Sequence, residues 1–240
     1  HRTSSRKMTR VAIMQPTYLP WIGYFGLMNS VELFIFLDSV QFTKRSWQQR
    51  NQIKNANGSQ WLSVPVITKG RRDQKIHEVM IDPTANFGAD HRKAIEYNYR
   101  KSPYFDVIAP ELFSILDKPH QSLSNLNIEL TLMLKQLLGI ETPTLRSSEM
   151  NGEGYKADLL LSLCQEVNAE EYISPPGSQG YLDESDAFIE ANIPIKYFDF
   201  HHPEYSQLFG EFLPYMSVID LLFNEGNNAS TIIIEGSQLD

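Results

Sequence analysis

The hydrophobic pattern of the chain alternates between short apolar runs and longer amphipathic segments. An apolar run at residues 11–14 is followed by a loop of prolines and aromatics, a short helical stretch and a second apolar run that ends at Asp38. Strands are also predicted at residues 142–145, 171–174 and 195–200, with an amphipathic helix at 156–167 between them. Short strands separated by helices predict an α/β fold, with a mostly parallel sheet flanked by helices.

The middle of the chain is predicted to be helical. Good helix formers occupy residues 90–101, and apolar residues recur at three- and four-residue spacing over 108–116 and 123–138. Before them, apolar segments at 61–67 and 76–81 predict a β-hairpin, with Pro65 favouring an edge strand. We therefore expect a single α/β domain over residues 9–240 with a helical insertion at about 88–139, preceded by a tail, residues 1–8, that is disordered or was added for expression.

Polar and aromatic residues follow the first strand, where ligands bind in open parallel sheets. Gln15 and Asp38 both come directly after predicted strands, so we expect them to lie near each other. Pro16 and Pro20 stiffen the loop that follows the first predicted strand. The loop is either a binding loop or a rigid aromatic plug over one sheet edge. As a binding loop it offers four candidates, Gln15, Tyr18, Trp21 and Tyr24.

A basic segment follows Asp38 although the whole chain carries a formal net charge of -8. No acidic residue occurs from position 41 to position 60. Arginine makes forked contacts to carboxylate or phosphate, and lysine supplies a point charge. The segment therefore predicts a site for an anionic group, with Asp38 as a catalytic residue that binds a hydroxyl, an ammonium group or a metal. The substrate-binding candidates here are Gln41, Lys44, Arg45, Arg50 and Asn51. The alternative is a solvated basic loop in which Asp38 pairs with an arginine.

Two histidines, His201 and His202, follow the predicted strand at 195–200. Either could act as a general base near neutral pH, so both are catalytic candidates. Tyr205 and Gln207 follow them as substrate-binding candidates, and Ser174 and Gln179 belong to a turn after another strand whose backbone amides could hold an anion. No HxH, HExxH or CxxC spacing indicates a metal site. Further on, Ser217 and Asp220 have the spacing of a helix capping box.

Composition narrows the function classes. An isoelectric point near 5.3 argues against a duplex nucleic-acid partner. No apolar run is long enough to span a bilayer, so we expect no membrane insertion. The one cysteine, Cys164, rules out an internal disulfide and favours the reducing cytoplasm. Homo-oligomerisation is compatible with the sequence.

Four segments together resemble the WbqC-like protein family: QPTYLPWIGYF, DSVQFTKRSWQQRNQI, YISPPGSQGYL and HPEYSQLFGEFLPYMSVIDLLFNEG. The resemblance covers nearly the whole chain after the tail and implies an association with bacterial O-antigen and other surface-polysaccharide gene clusters. At position 179 the resemblance leads us to expect a lysine, and the chain has Gln179. The order of strand, W-I-G-Y loop, helix and acidic strand end is also similar to Rossmann-like and HIGH-type nucleotide-binding folds, but the HIGH histidines are missing.

These features favour an enzyme that modifies an amino sugar, linked to a nucleotide, by acyl or aminoacyl transfer in surface-polysaccharide biosynthesis. Its cofactor is open between ATP and an acyl or aminoacyl donor. One alternative is a non-catalytic binding or scaffold protein of the same pathway. Another is an ATP-dependent enzyme that activates amino acids or transfers nucleotidyl groups.

Overall fold

The computed structural model describes residues 8–175 and 186–239. Within these ranges the strands are β1 (Arg10–Met14), β2 (Leu33–Phe36), β3 (Arg50–Asn55), β4 (Gly58–Ser63), β5 (Thr144–Arg146), β6 (Glu171–Ser174), β7 (Ile195–Phe200) and β8 (Ser237–Leu239). The helices are α1 (Ile22–Asn29), α2 (Phe87–Tyr99), α3 (Phe105–Leu116), α4 (Leu123–Leu137), α5 (Ala157–Glu166), α6 (Ala187–Glu190), α7 (Val218–Glu225) and α8 (Ala229–Gly236).

The main sheet has six strands in the order β5-β2-β1-β6-β7-β8. The neighbours from β5 to β7 pair in parallel, and β8 alone pairs antiparallel, with β7. The prediction of a mostly parallel α/β fold is therefore confirmed. Counted in chain order, the five parallel strands follow the order 3-2-1-4-5, which is the doubly wound arrangement. Its topological switch point lies between β1 and β6.

Both faces of the sheet are covered, because alternate strand residues point to opposite faces. In β1, Ala12 joins a core cluster with residues of α1, α3, α4 and α7, whereas Val11 and Ile13 join a second cluster with α5 and α6. Helices α2–α4 fill the region predicted as a helical insertion. Since their buried residues share the first cluster with the sheet, we propose that residues 9–240 form one domain.

The predicted hairpin at 61–67 and 76–81 is wrong. The hairpin that forms is β3–β4, which closes between Asn55 and Gly58 and buries Asn51 and Ile53. Its strands contain mostly polar residues, so hydrophobic patterning does not reveal them. The predicted segments instead meet at one isolated bridge, Val66 to Ile81, and residues 76–78 form a 3-10 turn.

Candidate functional site

A cleft opens at the carboxyl edge of β1, β2 and β6, at the switch point of the sheet. It consists of two adjoining cavities of about 450 and 360 Å³, which have Met14, Thr17 and Trp47 in common. The larger cavity is lined from β1 by Met14 and Gln15 and from β6 by Tyr172 and Pro175. Ligands of open α/β sheets bind at this place, and cavities of this size hold small molecules. We call the two cavities together the strand-end cleft.

The loop after β1 is held in one shape by buried hydrogen bonds. Asn51 donates from Nδ2 to the carbonyl oxygens of Tyr18 (3.2 Å) and Leu19 (2.8 Å), and Leu19 has a φ of 44°. The Tyr18 hydroxyl lies 2.6 Å from Nδ1 of His91, and the Tyr24 hydroxyl donates to the Gln15 carbonyl at 2.9 Å. Tyr18, Tyr24 and Asn51 are all buried. Tyr24 and Asn51 nevertheless line the smaller cavity, whereas Tyr18 lines neither cavity and supports the loop from behind.

Two polar side chains of this loop face the strand-end cleft. Gln15 accepts a hydrogen bond at Oε1 from Nε2 of Gln48 at 2.8 Å, which fixes its side chain while its own amide N–H groups have no partner among residues 8–175 and 186–239. Thr17 lines both cavities. The cleft therefore offers hydrogen-bonding groups to the polar edge of a ligand.

Aromatic side chains form the walls of the strand-end cleft. Trp47 lines both cavities and is 51% exposed, and Tyr215 lines the smaller one and is 58% exposed. Trp21 also lines the smaller cavity beside Tyr215, with ring centroids 5.7 Å apart, and packs edge-on against Phe200. Exposed tryptophan and tyrosine rings beside amide and hydroxyl groups suit the faces of sugars and bases.

Asp38 lies outside the strand-end cleft. Its side chain is fully buried, with Oδ2 accepting from Nε of Arg146 and Oδ1 from the Ser148 N–H, at 2.9 and 2.8 Å. Hydroxyl groups of Ser147 and Ser148 occupy the remaining acceptor positions. The carboxylate thus ties the end of β2 to the end of β5. This geometry matches the alternative interpretation, in which Asp38 pairs with an arginine.

The two histidines after β7 have different surroundings. His202 donates from Nδ1 to the Pro203 carbonyl (2.8 Å) and accepts at Nε2 from the Tyr215 N–H (3.1 Å). Burial lowers the pKa of His202, which keeps the ring neutral with both nitrogens occupied. His201 is mostly exposed, with Nε2 3.0 Å from Oδ2 of Asp199. Only His201 therefore has a ring that a substrate can reach without breaking a backbone contact.

The basic segment does not form one patch. Gln41 and Lys44 line a separate cavity, and the guanidinium of Arg50 lies 4.1 Å from the centre of the Trp61 ring. Arg45 is exposed on a backbone with a φ of 54°, and its N–H donates to Oε1 of Gln49 at 2.9 Å. The segment folds back on itself, so neighbouring cations point to different surroundings.

Tyr205 and Gln207 belong to a buried network around Asp220. The carboxylate of Asp220 accepts from the hydroxyls of Tyr99 (2.8 Å) and Tyr205 (2.7 Å) and from Nε2 of Gln207 (2.7 Å). Burial is the main cause that raises the pKa of Asp220. The capping-box prediction is therefore half wrong, since Ser217 caps α7 and Asp220 turns inward. The network fixes α7, whose first N–H donates to the Pro20 carbonyl beside Trp21.

The turn after β6 is described only at its start. Ser174 is fully buried, with its hydroxyl 3.2 Å from the Pro175 carbonyl, and Gln179 lies outside the described residues. In the described part of the chain, no three His, Cys, Asp or Glu side chains are grouped to hold a metal ion. Nor does any described helix have the length and apolar character needed to cross a membrane.

The sequence interpretation did not select Thr17, Trp47 and Tyr215, which line the strand-end cleft. Thr17 lies between two selected residues, Gln15 and Tyr18, so its position in the loop was a usable signal. Trp47 lies between Lys44, Arg45 and Arg50, and these cations are the stronger local signal. Tyr215 lies 201 positions after Met14 in the chain and no local pattern connects the two.

Comparison with known proteins gives a family but no reaction. An uncharacterized protein of Mycobacterium tuberculosis is 42% identical over 224 residues, which cover 92% of this chain and 96% of that protein. No solved structure matches the chain. The model of the WbqC-like protein family matches residues 15–232, a range that includes the Asp220 network and every lining residue of the strand-end cleft except Ile13 and Met14. The chain therefore belongs to the WbqC-like protein family.

Proposed function

We propose that this chain binds a nucleotide-linked amino sugar in the strand-end cleft and modifies it by acyl or aminoacyl transfer, in the cytoplasmic stage of bacterial surface-polysaccharide biosynthesis. One observation carries the binding part of the proposal. The cleft at the switch point between β1 and β6 combines two exposed aromatic walls, Trp47 and Tyr215, with the Gln15 side chain, whose amide N–H groups have no partner among the described residues. Sugars and bases present apolar faces and polar edges, which such a cleft accommodates.

Each part of the proposed ligand has a counterpart in the structure. Trp47 and Tyr215 take the face of the base or the sugar, and Gln15 and Thr17 bond its polar edge. Lys44 and Arg45, which directly follow the cleft residue Thr43, bring positive charge to the same loop. For the transfer step, His201 takes the proton from the accepting amine as the amine nitrogen bonds to the acyl carbon of the donor, and the carrier of the acyl group leaves with the electrons of the bond that breaks. Asp199 orients the His201 ring.

Calorimetric titration with a panel of nucleotide sugars tests the binding part. UDP-N-acetylglucosamine and the corresponding GDP- and dTDP-linked amino sugars form a suitable panel. We expect at least one to bind, and Trp47→Ala to weaken it by about tenfold or more, since one stacking contact contributes about 1–3 kcal/mol. Tyr97→Ala is the matched control, because Tyr97 is an exposed aromatic on α2 that lines neither cavity of the cleft. A folded sample that binds no member of the panel would refute the proposal.

One observation favours a second candidate, a non-catalytic binding protein of the same pathway. Among the described residues, no Asp, Glu, His, Lys or Arg lines the strand-end cleft. Mass spectrometry of the bound sugar after incubation with acyl and aminoacyl donors separates the two candidates. An acylated amine that appears with the wild type and is lost in His201→Asn supports the enzyme. Tight binding with no modified product supports the binding protein.

A further inference from the structure

The loop that lines the strand-end cleft with Thr43 and Ser46 also lines a second cavity with Gln41, Phe42 and Lys44. This cavity has a volume of about 470 Å³, and its other wall is the segment of residues 68–74. It shares no lining residue with the strand-end cleft. We call it the basic cavity.

Backbone hydrogen bonds hold the two walls of the basic cavity together. The Phe42 N–H donates to the Gln74 carbonyl at 2.9 Å, and Gln41 forms an isolated antiparallel bridge with Lys75. Within the second wall, the Arg71 N–H donates to the Thr68 carbonyl at 3.1 Å. Phe42 is buried and forms an apolar support for the charged groups. The backbone of both walls is therefore fixed by the fold, and exposed side chains supply the charged lining.

The charge of the basic cavity has the opposite sign to that of the chain. Four cations line it, Lys44, Lys69, Arg71 and Arg72, with Asp73 as the one carboxylate, which gives a formal charge of +3 in a chain of formal net charge -8. None of these five residues forms an ion pair with another described residue, whereas Arg10 and Arg146 are each paired with a carboxylate at 2.9 Å. Four gathered cations with a single carboxylate among them repel one another, and an anion bound among them relieves that repulsion.

We propose that the basic cavity binds a di- or triphosphate group. Two arginines offer forked donors for neighbouring phosphate oxygens, and two lysines add point charges. Several negative charges on adjacent oxygens match this group of cations better than a single carboxylate does. A concave cluster also suits a compact anion, whereas the acidic surface of the rest of the chain repels an extended polyanion such as duplex nucleic acid. The inference does not rest on what the strand-end cleft binds.

Calorimetric titration with inorganic pyrophosphate at low ionic strength tests the proposal. The triple variant Lys69→Gln/Arg71→Gln/Arg72→Gln removes three exposed cations of the cavity. The matched control Lys93→Gln/Arg100→Gln/Lys101→Gln removes three exposed, unpaired cations in and just after α2, with the same change in net charge. We expect the cavity variant to lose about a hundredfold or more in affinity, and the control less than about threefold.

The outcomes are decisive in each direction. If the wild type binds no pyrophosphate, there is no site and the proposal is overturned. If the two triple variants lose equal affinity, the binding reflects only general charge attraction, which also overturns the proposal. Trp47→Ala should retain pyrophosphate binding. If this variant no longer binds pyrophosphate, the anion binds in the strand-end cleft and the assignment to the basic cavity is overturned. Parallel titrations with ADP and UDP-N-acetylglucosamine identify the source of the phosphates. Tighter binding of either than of pyrophosphate, lost in the cavity variant, assigns the cavity to the diphosphate of a nucleotide or of a nucleotide sugar.

Discussion

Replacing Asp220 with alanine tests the buried network that supports the cleft loop. Asp220 is 1% exposed and accepts hydrogen bonds from Tyr99, Tyr205 and Gln207 at 2.7–2.8 Å. The substitution leaves two hydroxyls and one amide N–H without an acceptor inside the protein. Tyr99 and Tyr205 are buried, so water does not readily replace the lost acceptor in the folded state.

The magnitude follows from the three orphaned donors. An unsatisfied buried polar group costs about 1–3 kcal/mol, and the tyrosine hydroxyls can rotate to recover part of this. We therefore expect Asp220→Ala to lower the free energy of unfolding by about 3–5 kcal/mol, a large share of the ~5–15 kcal/mol that stabilises a typical domain. Asp220→Asn keeps the shape and one acceptor oxygen, so its loss should be about 1–3 kcal/mol.

Urea unfolding followed by circular dichroism at pH 7 measures these losses. Asp106→Ala is the matched control. Both aspartates lie in the first turn of a helix, Asp106 in α3 and Asp220 in α7, but Asp106 is exposed. Asp106→Ala should therefore lower the free energy of unfolding by less than about 0.5 kcal/mol. Because burial raises the pKa of Asp220, the native state keeps this proton after the unfolded chain has lost it. The stability difference between wild type and Asp220→Asn should therefore shrink as the pH rises from about 4 toward the raised native pKa, and then level off. Equal effects of Asp220→Ala and Asp106→Ala would refute this reasoning.

Three further substitutions probe other parts of the account. Burial lowers the pKa of His91 to about 4, so stability should fall by up to about 3 kcal/mol as the pH drops from about 6.5 to about 4, and His91→Gln should abolish that slope in urea titrations. Arg146→Met removes the cation that pairs with the buried Asp38 and should lower the free energy of unfolding by about 2–3 kcal/mol. Arg100→Met at the surface should change it by almost nothing. Equal losses of stability in thermal unfolding would contradict the role of the Asp38–Arg146 pair. Gly23→Ala places a methyl group 2.3 Å from Trp21 ring atoms, so the Trp21 ring must shift. The variant should stay folded and bind the ligand about tenfold more weakly. Unchanged affinity in calorimetry would contradict the contribution of Trp21 to the cleft.

The alternation of strands and helices was sufficient to predict the sheet, because its strands are short apolar runs bounded by helices. The strands at residues 171–174 and 195–200 appear within the predicted bounds, and Gln15 and Asp38 follow neighbouring strands as expected. The hairpin of β3 and β4 escaped prediction for the opposite reason. Its strands have mostly polar sequences. The buried Asn51 is held by two hydrogen bonds to the carbonyls of a loop more than thirty positions earlier in the chain.

The candidate site was predictable in its place and less so in its residues. The rule that ligands bind beyond the carboxyl ends of parallel strands points to the edge of the sheet at which the cleft lies. Charge was a weaker guide, because Lys44, Arg50 and Lys54 separate in the fold although they are close in sequence. Lys54, for example, is buried with its ammonium group donating to the Glu211 carbonyl at 2.5 Å. Such partners lie far along the chain, and local sequence contains no information about them.

The central claim is that the strand-end cleft holds the nucleotide-linked sugar. The most direct measurement is a crystal structure of the chain grown with UDP-N-acetylglucosamine, or with the panel member that binds most tightly. The account predicts a sugar or base ring stacked on Trp47 or Tyr215, with a polar edge within hydrogen-bond distance of the Gln15 amide. A ligand ordered elsewhere on the surface, with the cleft between β1 and β6 filled by solvent alone, would contradict it.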